Sequence, residues 1–175
     1  MNLDETYHLK VIIIGDPAVG KTSLVIRYVS NRFNKDYRST IGTNIYTKEI
    51  LLANNQKVFL NLWDIAGQER WARMREKYYY GSKGAIIVGD LTRPKTFEQI
   101  KEFWIQDINK YLSKIPIIVV GNKNDLESKI PLKTVEKLGT EIKAISGIIT
   151  SAKTGENVEE AFKKLSEEIL RIYKK

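Results

Sequence analysis

Four stretches of this chain are almost purely apolar and too short to be helices: "LKVIII" (9–14), "GAIIVGD" (84–90), "IPIIVVGN" (115–122) and "SGIIT" (146–150). A strand with one wet face alternates apolar and polar residues, whereas a strand covered on both faces does not. The runs therefore call for a mostly parallel sheet sandwiched between helices. Two further stretches alternate, 44–52 and 57–63. In the second, Val58, Leu60 and Leu62 face one way and Phe59, Asn61 and Trp63 the other. With the turn-prone "ANNQ" between them they read as an antiparallel hairpin at the sheet edge. Helical spacing fills the gaps. Residues 96–112 place Phe97, Ile100, Trp104, Ile108 and Tyr111 on one stripe, with "TFEQ" as a capping box in front. Residues 157–173 start with Asn157 and Glu160 and place Val158, Phe162, Leu165, Ile169 and Ile172 on one face. A shorter helix follows Pro131. The expected fold is α/β: a three-layer domain over 1–175, with a six-stranded, mostly parallel sheet, one antiparallel edge strand and helices on both faces.

The first apolar run opens into Gly15-Asp16-Pro17-Ala18-Val19-Gly20-Lys21-Thr22-Ser23, and "TSLVIRYVS" continues as a helix. Gly15 to Thr22 match G-x-x-x-x-G-K-[ST], the P-loop pattern, in its strand–loop–helix context. Such a turn aims backbone N–H groups inward, and the helix N-terminus adds partial positive charge, so the loop cradles phosphates. Lys21 reaches the outer phosphates, and the Thr22 hydroxyl is placed to ligate Mg²⁺.

"LNLWDIAGQER" supplies the next elements. Asp64 ends an apolar strand, where a P-loop nucleotidase needs a carboxylate for Mg²⁺, often through water. Gly67 offers a backbone N–H to a γ-phosphate, and the Gln68 amide can orient a water. In "VVGNKNDL", Asn122, Lys123 and Asp125 follow a buried strand, where open α/β folds bind ligands. Guanine presents N1–H and N2–H₂ side by side, and one carboxylate, Asp125, accepts both. Adenine has no such pair. The Lys123 stem can lie along the base, and Asn122 can tie this loop to the phosphate loop. In "ITSAKTG", the Ala152 N–H can donate to guanine O6, with Ser151 and Lys153 shaping the loop.

Composition removes other classes. With no cysteine, the chain offers no disulfide, thiolate metal site, cysteine nucleophile or lipidated cysteine. Asn2 stands where myristoylation needs glycine, the start carries no apolar signal stretch, and no apolar run is long enough to span a bilayer. A soluble, cytoplasmic protein is expected, peripheral to a membrane only if a C-terminal tail is missing. The net charge of +8 is compatible with anionic partners. No nucleic-acid-binding signature accompanies it, so no nucleic-acid partner is expected. His8 reads as an ordinary surface residue.

Taken together and in this order, GDPAVGKT, DIAGQE, NKND and SAK resemble a Ras-superfamily small GTPase over roughly residues 8–170. "YRSTIGTNIYTKEI", "WDIAGQERW", "YYYGSKGAIIVGDLT" and "TSAKTGENVEEAF" are most similar to the Rab branch. The resemblance implies a switch that binds GTP or GDP with Mg²⁺ and hydrolyses GTP slowly, in trafficking or signalling. It implies Thr40 as a second Mg²⁺ ligand beside Thr22, with Asp64 behind them. It adds Phe33 over the guanine and Tyr37 and Leu126 to the nucleotide contacts. Gln68, Lys21 and Gly67 would carry the hydrolysis. Effectors, exchange factors and activating proteins would meet switches near 34–43 and 66–80, and the protein would be a monomer.

Several positions depart from the resemblance. Pro17 and Ala18 replace the small residues usual in the loop. Proline removes an N–H donor, and alanine is not expected to accept the positive φ that glycine would. Ile45 stands where Rab relatives carry a phenylalanine of an effector-contacting aromatic triad, while Trp63 and Tyr78 match the other members. Ile65 replaces a threonine, with little effect expected. "LRIYKK" lacks the flexible, cysteine-ended tail of Rab proteins, and no anchor supports membrane association. Other readings are a nucleotide-binding scaffold that never hydrolyses, an ATP-dependent P-loop enzyme, which Asp125 argues against, and an electrostatic docking module built on Arg70, Arg73, Arg75, Lys77 and Lys83.

Overall fold

The computed structural model describes residues 6–34, 39–51 and 56–173. Six strands form one sheet: β1 (Tyr7–Ile14), β2 (Thr43–Leu51), β3 (Lys57–Ile65), β4 (Gly84–Asp90), β5 (Ile117–Asn122) and β6 (Ser146–Ile149), in the order β2-β3-β1-β4-β5-β6. Every neighbouring pair is parallel except β2 with β3, which places the antiparallel strand at the edge. Residues 53–55 of the expected "ANNQ" turn lie outside the described residues.

The helices are α1 (Lys21–Ser30), α2 (Ala72–Tyr79), α3 (Lys95–Gln99), α4 (Ile105–Tyr111), α5 (Lys133–Glu141) and α6 (Val158–Tyr173). They divide between the two faces because β1 alternates. Leu9, Val11 and Ile13 pack with Leu24, Val25 and Tyr28 of α1 and with Phe162, Leu165 and Ile169 of α6. Ile12 and Ile14 pack on the other face with Tyr79, Phe97, Ile100, Trp104, Ile108 and Val135. β3, next to the edge strand β2, is wetter on one face: it buries Val58, Leu60 and Leu62 and leaves the intervening Phe59, Asn61 and Trp63 only partly covered.

The structure corrects three helix expectations. The continuous helix over 96–112 is α3 and α4 joined by a π-helical stretch, Ile100–Trp104. "TFEQ" is not a capping box, because α3 begins at Lys95 and Thr96 lies inside it. The Thr96 hydroxyl instead accepts from the Asp90 N–H (2.9 Å) and donates to the Arg93 carbonyl (2.7 Å), tying the helix to the end of β4. In α6, Ile172 falls off the buried stripe and is 47% exposed. Asn157, at φ 54, donates its side-chain amide to the Ile149 carbonyl (2.8 Å).

This topology fixes the position of any site. The chain winds one way from β1 to β3 and the other way from β1 to β4. The carboxyl ends of β1, β3, β4, β5 and β6 therefore open on one edge around that reversal, where α/β sheets bind ligands.

Candidate functional site: a phosphate loop and its nucleotide cleft

β1 ends at Ile14, and the chain turns through Gly15 (φ 140) and Gly20 (φ 100) into α1. Ala18 adopts φ 61. This corrects the expectation drawn from its side chain, since the loop takes the left-handed conformation although no glycine stands there. The Lys21 ammonium lies across the loop, donating to the Gly15 and Asp16 carbonyls at 2.8 Å each, which leaves one of its protons for a phosphate oxygen. Burial lowers the Lys21 pKa to about 8; the Asp64 and Asp16 charges oppose this, and the Arg93 charge adds to it. The Asp16 side chain turns away from the loop and accepts the Trp104 indole N–H at 2.8 Å.

At the other end of this crevice three oxygens converge. Thr22 Oγ1 donates to Asp64 Oδ2 at 2.6 Å and lies 2.9 Å from Thr40 Oγ1, which is 3.5 Å from the same carboxylate oxygen. Asp64 is fully buried, and its Oδ1 has no hydrogen-bond partner among the described residues. Burial raises its pKa, opposed by Thr22, the Lys21 charge, Thr40 and Asn44. Two hydroxyls, one buried carboxylate and an unpartnered carboxylate oxygen are a donor set that fits a hard cation such as Mg²⁺. Gly67 closes the crevice. A Cβ there would lie 2.3 Å from the Gly15 carbonyl oxygen, so the third strand's exit loop presses directly on the phosphate loop. The Gln68 amide donates to Ser39 Oγ at 2.7 Å.

Beside the loop lies a cavity of about 510 Å³, a size that holds a small ligand. One wall is Ala18, Gly20 and Ser23, another Phe33 and Asn34, and the third Asn122, Lys123, Asp125, Leu126, Ala152 and Lys153. Asn122 is a buried hub: its Nδ2 donates to the Val19 carbonyl (3.0 Å), and its Oδ1 accepts from Thr150 Oγ1 and the Ala152 N–H (3.1 Å each). The Ala152 N–H, expected to face guanine O6, is thus donated to Asn122 in this structure. Asp125 Oδ1 accepts the Ser151 hydroxyl at 2.6 Å, and Lys153 lies 3.6 Å from Oδ2, so the carboxylate is fixed at the cavity wall. Tyr37 lies outside the described residues.

Four side chains that build the site were not singled out as site residues from sequence. Arg27 of α1 donates from Nε to the Ala152 carbonyl (2.7 Å) and from Nη2 to the Lys153 carbonyl, holding that loop from behind. Trp104 reads in the sequence as core. Asp90 and Arg93 follow a buried strand, as Asp64 and Asn122 do; a charged residue at such a strand end was the available signal.

Comparisons with known proteins identify the family. The family model described as Ras family matches residues 10–171. The chain belongs to the Ras family. Ras-related protein Rab-1 of Theileria annulata is 40% identical over 158 residues, covering 89% of this chain and 71% of the relative. GTP-binding protein ypt3 of Schizosaccharomyces pombe is 39% identical over 168 residues, 95% and 78% of the two chains. Ras-related protein Rab-1C of Dictyostelium discoideum is 40% identical over 164 residues, 92% and 80%. This family member is therefore a Rab-like GTPase. On its surface the Trp63 and Tyr78 rings lie 6.5 Å apart, and Ile45, paired in register with Trp63, is 55% exposed.

Proposed function

We propose that this Rab-like GTPase is a guanine-nucleotide switch: it holds GTP or GDP with Mg²⁺, hydrolyses GTP slowly, and reads out the bound state through residues 34–43 and 66–80. One observation carries the proposal. A single cleft has a fixed carboxylate, Asp125, at one end and the Thr22–Thr40–Asp64 oxygen cluster at the other, with Lys21 and the phosphate loop between. That order is the order of a nucleotide's parts: base, phosphates, cation.

Thr22 and Thr40 would hold Mg²⁺ directly and Asp64 through water, and the ion would supply charge neutralisation at the outer phosphates. The chain's own residues do the rest. Asp125 accepts guanine N1–H and N2–H₂, and Phe33 covers the base. Lys21 and the amides from Val19 to Thr22 hold the phosphate oxygens in place and stabilise the charge that develops there. Gln68 orients a water in line with the γ-phosphorus, its amide exchanging the Ser39 hydroxyl for that water. The water oxygen bonds to phosphorus, its proton passes to an oxygen of the phosphate being released, the bond to the bridging oxygen breaks, and GDP and inorganic phosphate leave. Thr40 and Gln68 come from different loops, which the Gln68–Ser39 hydrogen bond already brings together, and both would contact the terminal phosphate. Losing that group releases both segments, which is the means of switching. The relatives' names, Rab-1 and ypt3, favour a place in membrane trafficking.

A single-turnover assay tests the reading. Purified protein loaded with GTP should convert it to GDP, and Gln68→Leu should lower the rate by roughly 10-fold or more while leaving GTP bound. Identical, near-zero rates in both proteins would leave a nucleotide-binding scaffold instead.

A further inference from the structure

The left-handed Ala18 needs an explanation from its surroundings. An L-residue with a Cβ resists positive φ, and such a conformation persists only where neighbouring structure holds it. Two cations reach the carbonyls on either side of this strain. Arg93 Nη2 donates to the Pro17 carbonyl at 2.9 Å, and Lys123 Nζ donates to the Ala18 carbonyl at 2.9 Å. Both are gripped by one carboxylate oxygen: Asp90 Oδ2 lies 3.0 Å from Arg93 Nε and 2.6 Å from Lys123 Nζ. The other oxygen, Oδ1, accepts the Thr92 N–H and hydroxyl at 2.9 and 2.7 Å. Asp90 is fully buried at the end of β4 and paired in register with Asn122, so the sheet itself fixes where the clamp starts.

We propose that Arg93, seated on Asp90, is a positioning residue for the phosphate loop: it pins the Pro17 carbonyl and so keeps Ala18 in the left-handed form that this loop's nucleotide-binding shape requires. Arginine suits the task because its planar fork serves the carboxylate through Nε and the carbonyl through Nη2 at once. Pro17 suits it too. With φ already fixed and no N–H of its own, its carbonyl is the handle by which the peptide leading into Ala18 can be held. The inference rests on the nucleotide-switch reading and names what keeps that site in shape.

The idea makes Arg93 necessary because residue 18 is not glycine, and a double-mutant cycle tests that dependence. Arg93 is partly exposed, so Arg93→Ala should fold. In the natural background Arg93→Ala should speed release of bound GDP roughly 5-fold or more. In the Ala18→Gly background, where positive φ carries no penalty, the same change should alter release by less than about 2-fold. Amide hydrogen exchange across residues 15–22, read without nucleotide, should follow the same pattern. An unchanged release rate in Arg93→Ala, or an equal acceleration in both backgrounds, overturns the proposal. If the protein bound no guanine nucleotide, the switch reading would fail while the exchange cycle still decided the clamp.

Discussion

At the scale of single residues, most buried polar groups of the site are saturated, Asp64 Oδ1 being the exception, and Asp90 is the clearest case. Burial alone would raise its pKa, but hydrogen bonds from Lys123 and Thr92 and the Lys123 charge outweigh this and hold it below the ordinary carboxylate value. A carboxylate whose folded pKa is depressed adds stability above its unfolded pKa and loses it as pH falls through the folded value. Asp90→Asn should therefore destabilise the protein near pH 7 by about 2 to 4 kcal/mol, since it leaves Lys123 and Arg93 without their counter-charge. The gap between the two proteins should narrow in denaturant melts as pH drops below about 4. A gap that stayed constant with pH would mean that the carboxylate's charge contributes nothing. The same residue shows where sequence reading stops. Motif spacing found Lys21, Thr22, Asp64 and Asp125 because each was read as a group that would meet a nucleotide or its cation, and Asn122 as a tie between loops, which its bonds to Val19 and Ala152 are. Asp90, Arg93 and Arg27 bind other parts of this chain, and their partners, at Lys123, Pro17 and Ala152, are 33 to 125 residues away in sequence.

At the scale of elements, the strands were legible because burial on two faces leaves an unbroken apolar run, and the hairpin because its second strand alternates, with Val58, Leu60 and Leu62 buried and the residues between them not. Helix starts were less so. A Thr-x-x-Gln pattern fits a cap in isolation, yet Thr96 sits inside α3 because Asp90 offers its hydroxyl a tertiary partner. The π-helical stretch at Ile100–Trp104 was invisible for a related reason, since the same apolar stripe fits an α-helix nearly as well. That stretch ends at the residue that links the helix layer to the phosphate loop. Trp104, 2% exposed, bonds Asp16 and packs under the Arg75 guanidinium of α2, 5.4 Å from its ring. Arg75 also pairs with Asp107 at 3.5 Å, which in turn accepts the buried Tyr79 hydroxyl at 2.8 Å. α2 is thereby bolted to the helical segment that carries Trp104 and touches the phosphate loop. Trp104→Phe keeps an aromatic in the core but leaves Asp16 without its donor and a void beneath Arg75. It should lower stability by about 2 to 4 kcal/mol, read as a fall in Tm of roughly 4 to 15 °C. A melt within a degree of the natural protein would show that neither bond nor packing matters.

At the scale of the whole molecule, the fold gathers one edge of the sheet around a ligand, so folding and binding should be linked. Loops after β1, β3, β5 and β6 all contribute to the cleft, and each is held by another: Gly67 against Gly15, Asn122 against Val19, Ala152 against Asn122. A nucleotide that touches all of them binds only the native arrangement and must raise its stability by mass action. At 100 times Kd the gain is about 2.7 kcal/mol, which for a chain of this size is a rise in Tm of roughly 5 to 11 °C. With Mg²⁺ present, GDP should give that rise and ADP should not, since adenine cannot offer Asp125 two adjacent donors. Asp125→Asn should abolish the difference, because an amide presents its own N–H₂ to the guanine donors while the phosphate contacts stay intact. Equal rises with GDP and ADP in the natural protein would move base selection away from Asp125. A rise with GDP that survived Asp125→Asn undiminished would assign it to the Ala152 and Lys153 side of the cavity.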